Sequence, residues 1–505
     1  MSEPTPDSTA PDSQGSASQR GLRNWIEQRT GMNGLLQEAL DEPIPGGARY
    51  AYIFGSGLLF VFLSQVITGV FLALYYVPSA DHAHTTVAYI AKEVAAGSFL
   101  RSLHVYGSSA MVIIVLLHIS QTFLYGSYKG RRELLWLSGT VLFALVMGMA
   151  FTGYLLPWDQ KAYFATAVGT NVPSEIPVVG NVVKEVMRGG SELGTLTISR
   201  FFVAHVLMIP GLIFLFIGTH IFLFRKAGPA GPMNEDSFHP KLPTQSFYPR
   251  QLLMDLGLAL FVIVILGSLA LLYPAVLGPE ANPADTQFLP RPEWYYRSLF
   301  QWLKLWTGSS VVVGIGVIPL IVVVLFVGLP FIDRRAERRP WKRPLAVGLF
   351  ALIFGGLIIM EGWSYYADAH DPAVAKQLAL QDRQTKEYMQ EPFKPERQGA
   401  PLPTGPAATA ASVAALGAGA AVPDDAVAAG QETFESHACN ACHGAGGAGT
   451  PMAPKLAGIG KKRTAEQLFD LFNHPTAGMD KGGMPHFQFT QDDVKGLIAY
   501  LDSQQ

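Results

Sequence analysis

Four histidines fall inside long apolar stretches, and they fall in two pairs. His104 and His118 are 14 residues apart; His205 and His220 are 15 apart. At about 1.5 Å of helical rise per residue, each pair spans roughly 21–23 Å, most of a bilayer core. Fourteen residues is close to four turns, so both histidines of a pair face nearly the same way. Two such helices side by side can hold two flat cofactors, one near each membrane face. Ionisable side chains are costly in that setting and persist where they work, and imidazole is a suitable axial ligand for haem iron. Alternation of inner and outer helix ends pairs His104 with His205 at one level and His118 with His220 at the other. Gly55 and Gly69 also differ by 14, as do Gly139 and Gly153. A residue without a side chain lets a large planar group come close. Taken alone, these glycines fit ordinary small-residue helix packing better; their match to the histidine spacing turns the balance to the planar cofactor.

A second constellation lies near the C-terminus. Cys439-Asn440-Ala441-Cys442-His443 has the spacing for two thioether bonds to one haem, with the adjacent histidine as its proximal ligand. Gly-Met-Pro-His-Phe at 483–487 resembles the ligand loop of small class I cytochromes c, which implies Met484 as the sixth ligand, ahead of Met479 and Met452; a methionine there tends to raise the reduction potential. The plain alternative for each methionine is gap-filling in a core. The same resemblance implies that Pro454 supports His443.

The rest of the chain must position these groups. Of 505 residues, 49% are hydrophobic and 15% charged, whereas soluble domains carry roughly 25% charged residues. The formal net charge of -2 argues against nucleic acid as a partner. The two cysteines are both in the haem-attachment motif. That excludes a disulfide framework elsewhere and a four-cysteine iron–sulfur cluster on this chain. Seven apolar stretches are long enough to span a bilayer, at about 51–77, 103–125, 134–156, 201–224, 252–275, 311–332 and 345–366. The expected fold is all-α: a polytopic membrane bundle of seven transmembrane helices plus a small α-helical domain.

Basic residues cluster in alternate loops. Arg20, Arg23, Arg29 and Arg49 form one set, then Lys129, Arg131 and Arg132, then Arg225, Lys226, Lys241 and Arg250. The densest set is Arg334, Arg335, Arg338, Arg339, Lys342 and Arg343. The positive-inside tendency makes the N-terminus cytoplasmic and puts everything after residue 366 on the outer side. Residues 1–21 read as a disordered tail rather than a secretory signal. Segment 22–40 has the apolar pattern of a surface helix, weakened by Gly31 and Gly34. Bundle segments of 22–230 and 231–370 follow, then a polar and Ala/Pro/Gly-rich linker over 371–424 and a small domain over 425–505.

Three local motifs carry a resemblance: Arg-Ser-Leu-His at 101–104, Gly-Tyr-Leu-Leu-Pro-Trp-Asp-Gln at 153–160, and Pro-Glu-Trp-Tyr at 292–295. Over roughly 22–366 the chain resembles cytochrome b of the cytochrome bc complex family. Seven spans, the 15-residue spacing and Arg225-Lys226 are similar to the split photosynthetic-type arrangement, here joined in one chain and without the eighth helix of the mitochondrial type. Residues 425–505 resemble a class I cytochrome c domain. Two departures stand out. Ile53 replaces the cysteine that binds an extra haem in the plastid type, so that haem is not expected. Gln121 stands where a basic residue commonly follows the inner ligand.

The resemblance implies two non-covalent b-type haems, one covalent c-type haem, and quinol oxidation at the outer face. Glu293 would accept a quinol proton, with Tyr295, Tyr154, Pro157 and Trp158 lining the pocket. Arg101 would pair with a haem propionate or serve as a plain interfacial arginine. Phe247-Tyr248-Pro249 and Asp255 resemble an inner quinone site with Asp255 as proton donor; a helix-start carboxylate is the other reading. Implied partners are a Rieske-type iron–sulfur protein, the membrane quinone pool, a downstream cytochrome c or terminal oxidase, and a second copy in a dimer. The implied location is a bacterial-type energy-transducing inner membrane, with the cytochrome c domain periplasmic. A non-catalytic di-haem anchor and electron conduit for another dehydrogenase is the alternative; it would need the histidines but not Pro-Glu-Trp-Tyr.

Overall fold

The computed structural model describes residues 17–233, 242–283, 285, 287–394, 424–437, 439, 443, 445–448, 455–473 and 489–504. The chain divides into two units, Met1–Glu396 and Arg397–Gln505. Among the described residues, seven helical stretches are long and apolar enough to cross a bilayer: Tyr50–Ala73, Gly97–Leu124, Glu133–Tyr154, Thr195–Ala227, Arg250–Leu272, Gly308–Val327 and Pro344–His370. The expected all-α membrane bundle is borne out.

In place of one surface helix over 22–40 there are two, α1 (Ala17–Thr30) and α2 (Met32–Leu40). Gly31 between them has φ +61°, a left-handed conformation that breaks the helix. Strand β1 (Pro43–Pro45) leads to α3 (Ile53–Ala73), α4 (Ala83–Lys92), α5 (Gly97–Leu124) and α6 (Glu133–Tyr154). Two short helices follow, α7 (Gln160–Asn171) and α8 (Gly180–Arg188). The fourth span is composite: α9 (Thr195–Val203), a π-helical turn over Ala204–Met208, and α10 (Ile209–Ala227). Strand β2 (Thr244–Ser246) pairs antiparallel with β1, Ile44 opposite Gln245, tying the approach to α3 to the approach to α11 (Arg250–Leu272). Then come α12 (Trp294–Leu303), α13 (Ile318–Val327), α14 (Leu329–Ile332), α15 (Pro344–His370) and α16 (Pro372–Gln390).

α3 packs on α5, α6 on α10, α11 against both α3 and α5, and α12 against α15. The helices are apolar on their outward faces too. Leu260, Phe261, Val264 and Leu271 of α11 are all exposed, as expected where the surroundings are hydrocarbon rather than water.

A second π turn, Val313–Val317, precedes α13. In both spans a proline follows the wide turn by two residues, Pro210 in one and Pro319 in the other. Proline lacks an N–H and its ring crowds the carbonyl four residues back, which lies within the π turn; widening the turn relieves that contact.

α16 occupies the first part of the segment expected as linker. Asp371 caps it, its Oδ1 accepting from the backbone N–H of Ala373 at 2.9 Å and Val374 at 3.2 Å, with Pro372 in the first turn. Its far end is fastened to α4. Lys92 Nζ donates to the carbonyls of Tyr388 and Glu391, each at 2.7 Å, and Met389 Sδ accepts from Leu277 N–H at 3.3 Å.

In the second unit, α17 (Asp424–Ser436), α18 (Ala465–Asn473) and α19 (Gln491–Ser503) enclose Phe434, Leu468, Phe472, Phe489, Leu497 and Tyr500. α17 crosses α19 at Gly430, where a Cβ would come within 1.9 Å of the Gly496 carbonyl oxygen.

Candidate functional site

α5 and the fourth span bring His104 opposite His205, with ring centres 6.2 Å apart and planes inclined at 78°. That gap suits one metal ion between two imidazole nitrogens, at about 2 Å from each. His118 adjoins His220 one level along the same helices. The structure therefore forms the two histidine pairs at two depths.

The far side of each ring shows how it is oriented. His104 Nδ1 is 3.0 Å from Thr68 Oγ1 on α3. His220 Nδ1 is 2.8 Å from Ser138 Oγ, and His205 Nδ1 is 3.1 Å from Thr152 Oγ1, both on α6. Each hydroxyl donates its own hydrogen to its helix: Thr68 to Ser64 O at 2.8 Å, Ser138 to Leu135 O at 2.9 Å, Thr152 to Met149 O at 3.1 Å. The hydroxyl oxygen is then an acceptor for Nδ1–H. This fixes the tautomer and leaves Nε2 with a bare lone pair for a metal. The donor set fits haem iron at this site.

The glycines face the histidines directly. A Cβ on Gly153 would lie 2.4 Å from His205 Cε1. On Gly69 it would lie 3.1 Å from His104 Cε1, on Gly139 3.2 Å from His220 Cε1, and on Gly55 3.7 Å from His118 Cε1. The missing side chain makes room for the imidazole itself. Sequence reasoning missed Thr68, Ser138 and Thr152, although each directly precedes one of these glycines. A hydroxyl residue followed by glycine at three of the four positions was the available signal.

The unequal spacings also find a cause. On a regular helix at about 100° per residue, 15 residues overshoot a whole number of turns by about 60°, while 14 fall about 40° short. The π turn at Ala204–Met208, which includes His205, absorbs about one residue. It thereby makes a 15-residue spacing equivalent to the 14 on α5.

At the His104/His205 end, Glu293 occupies the N-cap position of α12 without capping it. Its Oε1 is instead 2.8 Å from Lys161 Nζ on α7. Lys161 Nζ lies 5.6 Å from the centre of the Tyr154 ring. Among the described residues, the buried Tyr154 hydroxyl has no hydrogen-bond partner. Tyr295 is close enough to Glu293 to feel its charge. Burial, then that carboxylate, pushes the Tyr295 hydroxyl well above its ordinary pKa, so it stays protonated. Glu293, Tyr295 and Tyr154 are thus brought together, and Lys161 joins them. Trp158 nearby has φ +50° and is buried, its ring 5.4 Å from that of Tyr163. A bulky residue held left-handed is a strained position, of a kind that clusters at working sites.

The segment carrying Glu293 is clamped from both sides by α15. Arg291 donates Nε to Asp368 Oδ2 at 2.8 Å and Nη2 to Oδ1 at 2.7 Å. Arg297 also contacts Asp368 through Nη2, and donates Nε to Ser364 Oγ at 3.1 Å. None of these was singled out from sequence.

Arg101 is buried, with Nη1 donating to Ala275 O at 2.7 Å and Nη2 to Val276 O at 2.8 Å. Those bonds stitch α5 to the loop after α11. Asp255 is buried in α11 and its Oδ1 accepts from Gln251 Nε2 at 2.9 Å; Gln251 Oε1 accepts from Arg49 N–H at 2.9 Å. The Arg101 contacts tie two elements together, whereas Asp255 is held by a residue of its own helix, Gln251, which in turn ties α11 to the segment before α3. In the second unit Cys439 and His443 are described, whereas Cys442, Pro454, Met452, Met479 and Met484 lie outside the described residues.

Comparison with known proteins agrees with this geometry. Residues 39–228 match the family described as Cytochrome b/b6/petB, and residues 280–379 match Cytochrome b(C-terminal)/b6/petD. Residues 425–501 match Cytochrome C oxidase, cbb3-type, subunit III. A cytochrome bc complex cytochrome b subunit from Chlorobaculum thiosulfatiphilum is 33% identical over 355 residues, 69% of this chain and 81% of that protein. The menaquinol:cytochrome c reductase cytochrome b subunit of Bacillus subtilis is 36% identical over 220 residues, 42% of this chain and 98% of that one. A solved chain of a hyperthermophilic respiratory Complex III shares the fold, with TM-score 0.62 and 24% identity over 73% of this chain and 97% of the other.

Proposed function

The chain belongs to the cytochrome b family of bc-type complexes, with a C-terminal cytochrome c domain, and from that premise we propose that it is the haem-bearing subunit of a quinol:cytochrome c oxidoreductase. His104 and His205 hold one b-type haem, and His118 and His220 the other. Cys439, Cys442 and His443 hold a c-type haem, with Met484 as its sixth ligand. Bound haem supplies one-electron carriage between the two ends of the bundle. The observation that carries this reading is the set of three Nδ1–hydroxyl bonds, which make Nε2 the nitrogen of His104, His205 and His220 that can bind a metal.

Quinol binds at the His104/His205 end, at the outer membrane face. There the Glu293 carboxylate accepts a proton from it, because quinol cannot give up two electrons without losing two protons. Tyr154, Tyr295 and Trp158 wall the pocket, and the Arg291–Asp368–Arg297 clamp holds Glu293 in register. The electron acceptors are a Rieske-type iron–sulfur protein on a separate chain and, through the haems, quinone. Asp255 serves a second quinone site at the opposite end. The complex is a homodimer in a bacterial-type inner membrane, with the N-terminus cytoplasmic and the cytochrome c domain outside, where proton release adds to the gradient. A pure electron conduit would have no use for a clamped carboxylate beside an unpartnered buried tyrosine.

Pyridine-haemochrome spectra before and after acid-acetone extraction test the cofactors: two extractable b haems and one retained c haem per chain are expected. A different b-haem number would break the histidine pairing. Glu293→Gln tests the chemistry. Loss of quinol oxidation with intact haem spectra is expected, and an unchanged rate would remove Glu293 from its role.

A further inference from the structure

Glu293 stands between two unlike surroundings. Inward are the buried, unpartnered Tyr154 hydroxyl and the Tyr295 ring. Outward is the ammonium of Lys161, on a side chain 45% exposed, against 35% for Glu293. An N-cap carboxylate ordinarily accepts from the backbone N–H groups of its own helix. Glu293 instead points its Oε1 at Lys161, 2.8 Å away. A half-exposed ion pair contributes little to stability, about 0–1 kcal/mol, so holding the fold together is a weak reason for the contact. Lys161 sits in the first turn of α7. That helix is fixed in place by Asp159, whose Oδ1 accepts from Ala162 N–H at 2.8 Å and whose Oδ2 accepts from Gly278 N–H at 3.0 Å. The ammonium is therefore anchored on a rigid element.

We infer that Lys161 is a positioning residue for proton release: it captures Glu293 in an outward position and stabilises the carboxylate left when the quinol-derived proton departs to water. This rests on the proposed role of Glu293 as quinol proton acceptor. In the inward position the Glu293 carboxylate takes one of the two quinol protons as the electrons leave to the iron–sulfur protein and the haem; the other proton leaves with the electron that passes to the iron–sulfur protein. The neutral acid then turns outward. Beside Lys161 its O–H bond breaks, the proton passes to bulk water, and the carboxylate pairs with the ammonium. The cycle returns Glu293 to the arrangement seen here. A charge-assisted bond of this kind is about twice as strong as a neutral one. It thus holds the carboxylate outward without touching substrate.

The test uses the purified holo-complex, with 2,3-dimethyl-1,4-naphthoquinol as donor and a soluble c-type cytochrome as acceptor. Lys161→Met, Lys161→Arg, Glu293→Gln and the double variant Lys161→Met/Glu293→Gln are compared at equal haem content and with unaltered b-haem spectra. Lys161→Met is expected to lower kcat about tenfold with KM within about twofold, the pattern of a step after binding. Lys161→Arg is expected to recover at least about half of the rate, since it keeps the positive charge. The double variant is expected to match Glu293→Gln alone, because the two residues act in one step. A Lys161→Met enzyme with unchanged kcat, or with its loss in KM, or with a loss that arginine fails to repair, would overturn the inference while leaving the quinol reading standing if Glu293→Gln is impaired. An unimpaired Glu293→Gln enzyme would overturn both.

Discussion

Asp368 and Arg291 form a two-pronged ion pair, 2.8 and 2.7 Å, between the last membrane helix and the residue two before Glu293. Their side chains are only 9% and 15% exposed. Removing one partner of such a pair strands the other charge, at a cost of about 3–5 kcal/mol. Asp368→Asn is expected to lower the detergent melting temperature and to abolish quinol oxidation, because Arg291 and Arg297 both lose their counter-charge. The b-haem spectrum should persist, since the histidines lie on other helices. Parallel melting curves and haem spectra check this.

The four glycines that face histidines predict a graded series. Gly55→Ala, with a Cβ 3.7 Å from its histidine, should retain both b haems. Gly69→Ala and Gly139→Ala, at 3.1 and 3.2 Å, should bind them with shifted spectra. Gly153→Ala, at 2.4 Å, should displace His205 and lose one haem. Extractable haem per purified chain, measured across the four variants, should fall in that order. An equal loss at Gly55 and Gly153 would refute the steric account.

Asp333 predicts an acid response at the other end of the bundle. Lys129 Nζ lies 2.7 Å from its Oδ1, and Tyr128 donates to Oδ2 at 2.6 Å. Burial alone would raise the Asp333 pKa, but the bonds from Lys129 and Tyr128 outweigh it and hold the carboxyl below its ordinary value. A depressed folded-state pKa contributes stability that is complete above the unfolded value, about 3.9. That contribution is lost as pH falls through the folded value. Melting temperature should therefore drop below about pH 4 in the native protein. Asp333→Asn should be less stable at neutral pH and should flatten that part of the curve.

The paired histidines were legible because costly groups in apolar helices have few reasons to recur at a fixed spacing. The spans were legible for the same reason that charges are scarce in them. Contacts between distant residues were not: nothing at Arg291 announces Asp368, 77 residues later. The polar character of 372–390 hid α16, whose capping signal, Asp371-Pro372, was nonetheless present. The basic loops were read only for their charge. Yet Arg338 is 1% exposed and donates to the carbonyls of Tyr125, Ala230, Gly231 and Pro232. Arg132 likewise donates to those of Ala227, Gly228 and Pro229. These side chains tie loops together, a role that a count of positive charges does not reveal.

The wide turn at Ala204–Met208 gives the fourth span a tolerance that α5 lacks. A residue inserted into a regular helix rotates everything beyond it by about 100°, which would swing His220 off the shared face. A helix that can store the extra residue as one slack turn beside Pro210 keeps His220 where it was. Removing one residue from that turn, and relieving Pro210 by substitution, would shorten the span to the spacing of α5 with both histidines still aligned. Length variation in this segment is therefore compatible with an unchanged cofactor cage.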